Sequence, residues 1–326
     1  MNTIFNIMNI PILTFLITCL SACGNKETGS DPAEIKPQLD TISLISDPNF
    51  SQGLTLARAN EPSPGSLNPY DTQTGKPIWN IAEWGTKYFL TQSDRNIIDD
   101  QIVYTNQGKT IKFQKLPNGM EVGMTVTTSK EYDRPRQANE SWPHLLVEQE
   151  FSKTPYIKDL KKLILKFNGR LVSSERMMTD DEYNTGLHAA QFQLFITVQN
   201  RNKNSAYYGD FLWFGIPFYD NRNELIPLYA AQDIGKGDAT GKFIYSIGST
   251  DLMSGTFHDK NWHNIEKDIY PHILKALELA KKRGYLTGSF LEEFQLSGMN
   301  LGWEVPGTFD VDFEYNGFDI LAVSEK

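Results

Sequence analysis

Hydrophobic and polar positions alternate most cleanly between Gln191 and Gln199. Phe192, Leu194, Ile196 and Val198 fall on one side, and Gln191, Gln193, Thr197 and Gln199 on the other, which is the pattern of a half-buried strand. The next apolar stretch places Leu212, Phe214, Ile216 and Phe218 on one side and Phe211, Trp213 and Tyr219 on the other. Being apolar on both faces, it reads as a central strand of a sandwich. Residues 201–210 between them are polar and aperiodic and include Gly209, so a surface loop is expected there. Shorter alternating or β-branched runs predict further strands at 41–46, 53–58, 101–104, 109–114, 121–128, 145–151, 163–167, 242–248, 299–305 and 308–315. In the last of these Phe309, Val311, Phe313 and Tyr315 should face inward, with Asp310, Asp312 and Glu314 outward. Turn residues punctuate the runs at Asp47-Pro48-Asn49, Asn118-Gly119 and Pro306-Gly307, and long loops are expected at 61–77 and 129–143.

One segment has helical period. Ile269, Ile273, Leu274, Leu277 and Ala280 recur on one face, Pro271 sits in the first turn, and Gly284 follows where a C-terminal cap belongs. Lys281, Lys282 and Arg283 suit the negative end of the helix dipole. About ten strands, one helix and no internal repeat predict an all-β fold, a jelly-roll type β-sandwich with a surface helix over about 268–283.

The first 22 residues carry no charged side chain and end in an apolar run, the pattern of a signal peptide. Leu20-Ser21-Ala22-Cys23, directly behind that run, resembles the bacterial lipobox. The resemblance implies that Cys23 becomes the lipidated first residue and anchors the chain to a membrane. With Gly24 after the cysteine, it implies sorting to the outer membrane, on either its periplasmic or its cell-surface face. The other cysteine, Cys19, lies within the peptide that would be removed, so the mature chain has no internal disulfide and must rely on its core. The expected organisation is a signal peptide at 1–22, a lipid anchor and polar tether at 23–40, and a single sandwich domain at 41–326.

A net charge of −9 makes nucleic acid a poor partner. Aromatic residues make up 12%, with six Trp and fourteen Tyr, against two Cys and five His. That balance favours presenting rings to sugars over building metal sites. No nucleophile elbow, Walker loop or dinucleotide fingerprint is present.

Three constellations carry candidate chemistry. Glu148 and Glu150 project from one face of a strand beginning near His144, and two carboxylates are the equipment of a retaining glycosidase. Jelly-roll glycosidases of the laminarinase type carry Glu-x-Asp-x-Glu, whereas VEQEF offers Glu-x-Glu alone. Gln191 and Gln193, with His188, Tyr207 and Tyr208, loosely resemble the site of alginate-lyase-like jelly rolls, in which Arg134 and Arg136 could neutralise a uronate or sulfate. Third, Glu304 faces away from its neighbour Trp303, which should be core, and shares its side with Asn300. Together with Gln191, Gln193, Glu148 and Glu150 these could line one polar sheet for sugar hydroxyls, with loop tryptophans Trp142 and Trp262, beside His144 and His263, as stacking platforms. His258, Asp259 and His263 lack a further ligand at persuasive spacing for a transition metal, while Asp220, Asn223 and Glu224 could hold a structural calcium ion.

In broad pattern the chain resembles bacterial surface lipoproteins for glycan capture and breakdown, built on concanavalin-A-like or galactose-binding-like jelly rolls. The expected function is polysaccharide or oligosaccharide binding at the outer membrane. The alternatives are a glycoside hydrolase or polysaccharide lyase on the same scaffold, and an envelope scaffold binding another protein through the segment around Trp79 and Trp84.

Overall fold

The alternation along Gln191–Asn200 is used as expected: Phe192, Leu194, Ile196 and Val198 are fully buried, and the polar side of the strand faces outward. A computed structural model describes residues 38–57, 65–71, 74–234 and 239–326. The signal peptide, the lipobox with Cys23 and most of the tether lie outside the described residues.

Two sheets pack face to face as a jelly-roll β-sandwich. The first has eight described strands, ordered His263–Asp268, Leu160–Arg176, Phe309–Glu325, Gly119–Thr127, Lys109–Leu116, Gln101–Thr105 and Arg95–Ile98, with Leu39–Ser43 also pairing with the 309–325 strand. The second has nine, ordered Tyr229–Gln232, Phe243–Ser246, Phe211–Asp220, Gln191–Asn200, Phe294–Glu304, His144–Glu150, Trp79–Ala82, Leu54–Ala57 and Ser66–Leu67. Pairing is antiparallel except between Phe211–Asp220 and Phe243–Ser246 and between Leu54–Ala57 and Trp79–Ala82.

Aromatic rings stack across the sandwich. Phe192 lies 4.1 Å from Phe313, and Phe167 lies 4.0 Å from Phe218, each pair nearly parallel. Trp303 is buried as predicted, and its indole N–H donates to the Met124 carbonyl of the opposite sheet at 2.8 Å. Trp79 is buried too, stacked on Phe50 at 4.8 Å and donating to the Asp47 carbonyl, which removes it from the interface expected of a scaffold.

The predicted helix is observed at Tyr270–Lys282, packed against the Leu160–Arg176 and Phe211–Asp220 strands through His272, Ile273, Ala276, Leu277 and Ala280. Gly284 follows with a φ of +88°, a left-handed conformation that glycine adopts without a Cβ penalty.

The structure departs from the sequence reading in several places, beginning with strands at Ser66–Leu67, Trp79–Ala82, Arg95–Ile98, Tyr229–Gln232 and His263–Asp268 that the pattern did not predict. The strands foreseen at 163–167 and 308–315 extend to 17 residues each, Leu160–Arg176 and Phe309–Glu325, and their mutual pairing contains three irregularities. Single helical turns occur at Thr128–Glu131 and Ser249–Leu252. Tyr219 is in the core, not on the outer side with Trp213. The cause is a bulge: Gln193 pairs with Pro217 and Phe192 with Tyr219, leaving Phe218 as an extra residue that shifts the alternation by one.

Candidate functional site

The outward face of the second sheet forms the floor of a cleft of about 1010 Å³. Strand pairing arranges its side chains in rows. One row runs Asp220, Gln191, Glu304, His144 across four strands. The next runs Pro217, Gln193, Gly302, Leu146, and a third runs Gly215, Phe195, Asn300, Glu148, Asn80. Of the residues expected on one polar sheet, Gln191, Gln193, Asn300 and Glu304 are brought together here, with His144 and Trp142 beside them.

Glu304 is held at the centre. Gln193 donates an amide N–H to its Oε1 at 3.2 Å, and Nε2 of the buried His144 lies 3.4 Å from its Oε2. The other imidazole nitrogen, Nδ1, is 2.9 Å from the Trp142 carbonyl oxygen. A carbonyl only accepts, so Nδ1 carries a proton and Nε2 faces the carboxyl either as an acceptor or as part of an imidazolium. An imidazolium at this position would pair with the Glu304 carboxylate.

Tryptophans wall this centre. The Trp142 ring lies roughly parallel to His144 at 5.9 Å, and Trp84 meets the same imidazole edge-on at 5.4 Å. The loop carrying Trp84 is fixed by buried charge. Glu131 accepts from the Thr86 hydroxyl and from the Lys87 backbone N–H at 2.7 Å, and Glu83 accepts from the Leu90 N–H at 3.0 Å. Lys109, fully buried, supplies the counter-charge: its Nζ is 3.6 Å from Glu131 and donates to the Tyr88 carbonyl at 3.2 Å. Burial pulls the Lys109 ammonium below its usual range, while Glu83 and Glu131 pull the other way. Gly85, at a φ of +65°, sits where a Cβ would lie 2.1 Å from the Trp142 carbonyl oxygen, so glycine lets the two tryptophan loops meet.

Farther along the floor, Asp220 is buried and its carboxylate takes two guanidinium bonds from Arg222, at 2.8 and 2.6 Å, and one from the Gln191 amide at 3.0 Å. Beyond it Trp213 and Phe195 meet edge to face at 6.1 Å. A Cβ at Gly215 would lie 2.8 Å from the Phe195 ring, so the absence of a side chain there lets that ring settle onto the sheet.

Several sequence-derived candidates fall elsewhere. Glu148 and Glu150 do share a face, but neither lines the cleft, and Glu150 is exposed at the strand end. Glu148 stands four residues from His144 and hence about 13 Å along the strand from the Glu304 row. Burial pushes its carboxyl up to about 7. Arg134 is engaged by both oxygens of Glu140 on the surface. Arg136 is buried and donates to the carbonyls of Pro306, Gln137, Glu140 and Leu187, so it fastens the 134–143 loop and does not reach the cleft. His188 is buried in the same structural network, its Nε2 2.9 Å from the Arg136 carbonyl. Tyr207 and Tyr208 are exposed in the 201–210 loop, at the opposite end of the strand from Gln191. Trp262 lies over the Arg170 guanidinium, a residue of the first sheet, and is no part of the cleft. Trp84, Phe195, Trp213 and Tyr229 are the aromatic cleft residues that the pattern alone did not assign to it.

His263 Nε2 pairs with Asp259 at 2.9 Å, and His258 Nε2 lies 3.1 Å from the Asp220 carbonyl. Among the described residues no group of three His, Cys, Asp or Glu side chains is placed to hold a metal ion. In the candidate calcium loop the Asp220 carboxylate is already engaged by Arg222.

No protein-family model matches the chain, and no curated protein matches it in sequence. Among solved structures it is similar to a family 12 xyloglucanase from Bacillus licheniformis, at 13% identity and a TM-score of 0.41, covering 72% of this chain and 99% of that one. An endoglucanase from Rhodothermus marinus gives 13% and 0.36 over 73% of this chain and 99% of that one. The xyloglucanase domain of an effector from Sinorhizobium fredii, solved with cellobiose, gives 11% and 0.33 over 68% and 96%. At TM-scores below 0.5 nothing about their chemistry transfers to this chain.

Proposed function

We propose that the cleft binds a neutral polysaccharide or oligosaccharide, and that lipidated Cys23 tethers the domain to the outer membrane. The observation that carries the binding reading is the group of amides and a carboxylate, Gln191, Gln193, Asn300 and Glu304, drawn from three adjacent rows of the floor and sharing one open cleft with Trp84 and Trp142. Amides and carboxylates match sugar hydroxyls, and indole faces match the C–H side of a pyranose ring. Asn300 lines the cleft, and its Oδ1 is buried without a hydrogen-bond partner. Charge supports a neutral ligand: the acidic groups of the cleft are Glu304, Asp220 and Asp233, and its Arg222 is committed to Asp220. A uronate would find no spare guanidinium, since Arg134 and Arg136 are engaged elsewhere.

Hydrolysis is the second reading, favoured by the placing of His144 Nε2 3.4 Å from the Glu304 carboxyl in the cleft. It requires a partner carboxyl at about 5–5.5 Å for retention or about 6.5–9.5 Å for inversion. Asp220 stands in the same row two strands away, about 10 Å by strand spacing, and is tied to Arg222.

The test is native affinity electrophoresis of residues 24–326 through gels containing neutral or acidic polysaccharides, with released reducing ends assayed in the same lanes. Retardation by neutral polymers without product is the expected result. Product that disappears in Glu304→Gln would install the hydrolase reading, and no retardation across the panel would sink both.

A further inference from the structure

The cleft is of two characters, and on the glycan-binding reading above this narrows the ligand. Around Glu304 the floor is polar. Beyond Asp220 it is lined by Phe195, Trp213, Ile226, Pro227, Tyr229 and Ile244, drawn from four strands and the connection before the edge strand Tyr229–Gln232. Tyr229 is 52% exposed, and the side chains of Thr240, Asp233 and Gln232 at this end are engaged by one another or by backbone. The Thr240 hydroxyl donates to Asp233 at 2.6 Å and accepts from the Trp213 indole N–H at 3.2 Å. Asp233 also accepts the Thr240 backbone N–H, and the Gln232 amide donates to the Gly241 carbonyl at 3.0 Å. A sugar ring placed here would surrender its hydroxyl hydration with few partners in return, a cost that a hydrocarbon surface does not incur. An apolar group would instead cover exposed aromatic and aliphatic surface.

We infer that the ligand is a glycan bearing an aryl substituent, its sugar on the polar floor around Glu304 and its ring between Phe195, Trp213 and Tyr229. Continuity carries the argument: both halves open into one cleft, so a single molecule spans them. The aromatic residues favour an aryl group, which can meet Trp213 and Phe195 in the edge-to-face geometry they already use with each other.

The full chain in lipid nanodiscs is titrated by calorimetry with cellotetraose, xylotetraose and mannotetraose, each free and as its benzyl β-glycoside. For the sugar that binds, the benzyl glycoside should bind about tenfold or more tightly than the free form. Tyr229→Ser and Ile226→Ser should each remove most of that advantage while leaving the Kd of the free sugar within about twofold. Equal affinity of benzyl and free forms would overturn the inference and leave glycan binding standing. Binding of neither form would overturn both, and an advantage that survives in both variants would place the ring elsewhere and refute the assignment.

Discussion

Replacing Glu148 by Gln should stabilise the protein above neutral pH and do almost nothing near pH 4.5. The Glu148 carboxyl lies on the sheet between Asn300 and Asn80, and its pKa is lifted by burial from 4.5 to about 7. The folded protein therefore holds a proton that the unfolded chain releases near 4.5. Stability from this group is complete below pH 4.5 and is lost as pH rises through about 7. A difference of about 2.5 units corresponds to about 3 kcal/mol at pH 8. Gln keeps the shape of the neutral acid and cannot ionise, so Glu148→Gln should gain roughly that amount at pH 8, or about 6 °C in Tm for a domain of this size. Urea unfolding of both proteins at pH 4.5, 6 and 8 reads the effect as a difference of differences, which cancels every carboxylate the two share. A variant-minus-wild-type difference that stays constant over that range would show that Glu148 titrates normally and that the burial argument fails.

Other perturbations probe the frame of the cleft and its address. Lys109→Met removes the counter-charge from two buried acids, Glu83 and Glu131, and should cost about 3–5 kcal/mol in urea unfolding; a loss below 1 kcal/mol would mean that the carboxylates are neutral without it. Arg136→Ala strips donors from four carbonyls and should lower stability by about 2–4 kcal/mol while raising proteolysis within the 134–143 loop, which unchanged cleavage would contradict. Trp84→Ala should weaken retardation by the bound polysaccharide about tenfold, whereas Trp262→Ala, on the other sheet, should leave it untouched; the reverse order would put the site on the wrong face. Cys23→Ser should move the chain out of the membrane fraction, and continued sedimentation with membranes would defeat the lipid anchor.

Strand positions and facing were legible because period-two alternation is imposed by the pleat itself, and Trp303 against Glu304 is the plainest instance. Which sheet a residue belongs to was not legible, because parity assigns a face and says nothing about neighbours. Trp142 and Trp262 show the limit: each sits just before a strand that begins with a histidine, His144 or His263, yet one lines the cleft and the other covers Arg170 on the far sheet. Loop arginines posed a similar difficulty. Arg134 and Arg136 are two residues apart with the same charge, and only the folded loop decides that one is solvated and the other clamps carbonyls. The central carboxylate, Gln193 and His144 could all be named in advance as candidates, but not that the latter two meet the carboxylate, since they reach it from strands about 160 (His144) and 110 (Gln193) residues away in the chain.

The extra residue at Phe218 sets how the cleft responds to a change of chain length, in a way that ordinary substitutions would not reveal. Were Phe218 deleted, Pro217 and Tyr219 would become neighbours opposite Gln193 and Phe192, so strict alternation would keep Tyr219 in the core and Asp220 beside Gln191 and Arg222. What the molecule would lose is the core ring stacked on Phe167 at 4.0 Å. A one-residue deletion elsewhere in the strand has no extra residue to absorb it and would turn the side chains beyond it to the other face. In-frame deletion libraries should therefore cost stability at position 218 while leaving the cleft residues facing as they do, and should scramble that facing at its neighbours.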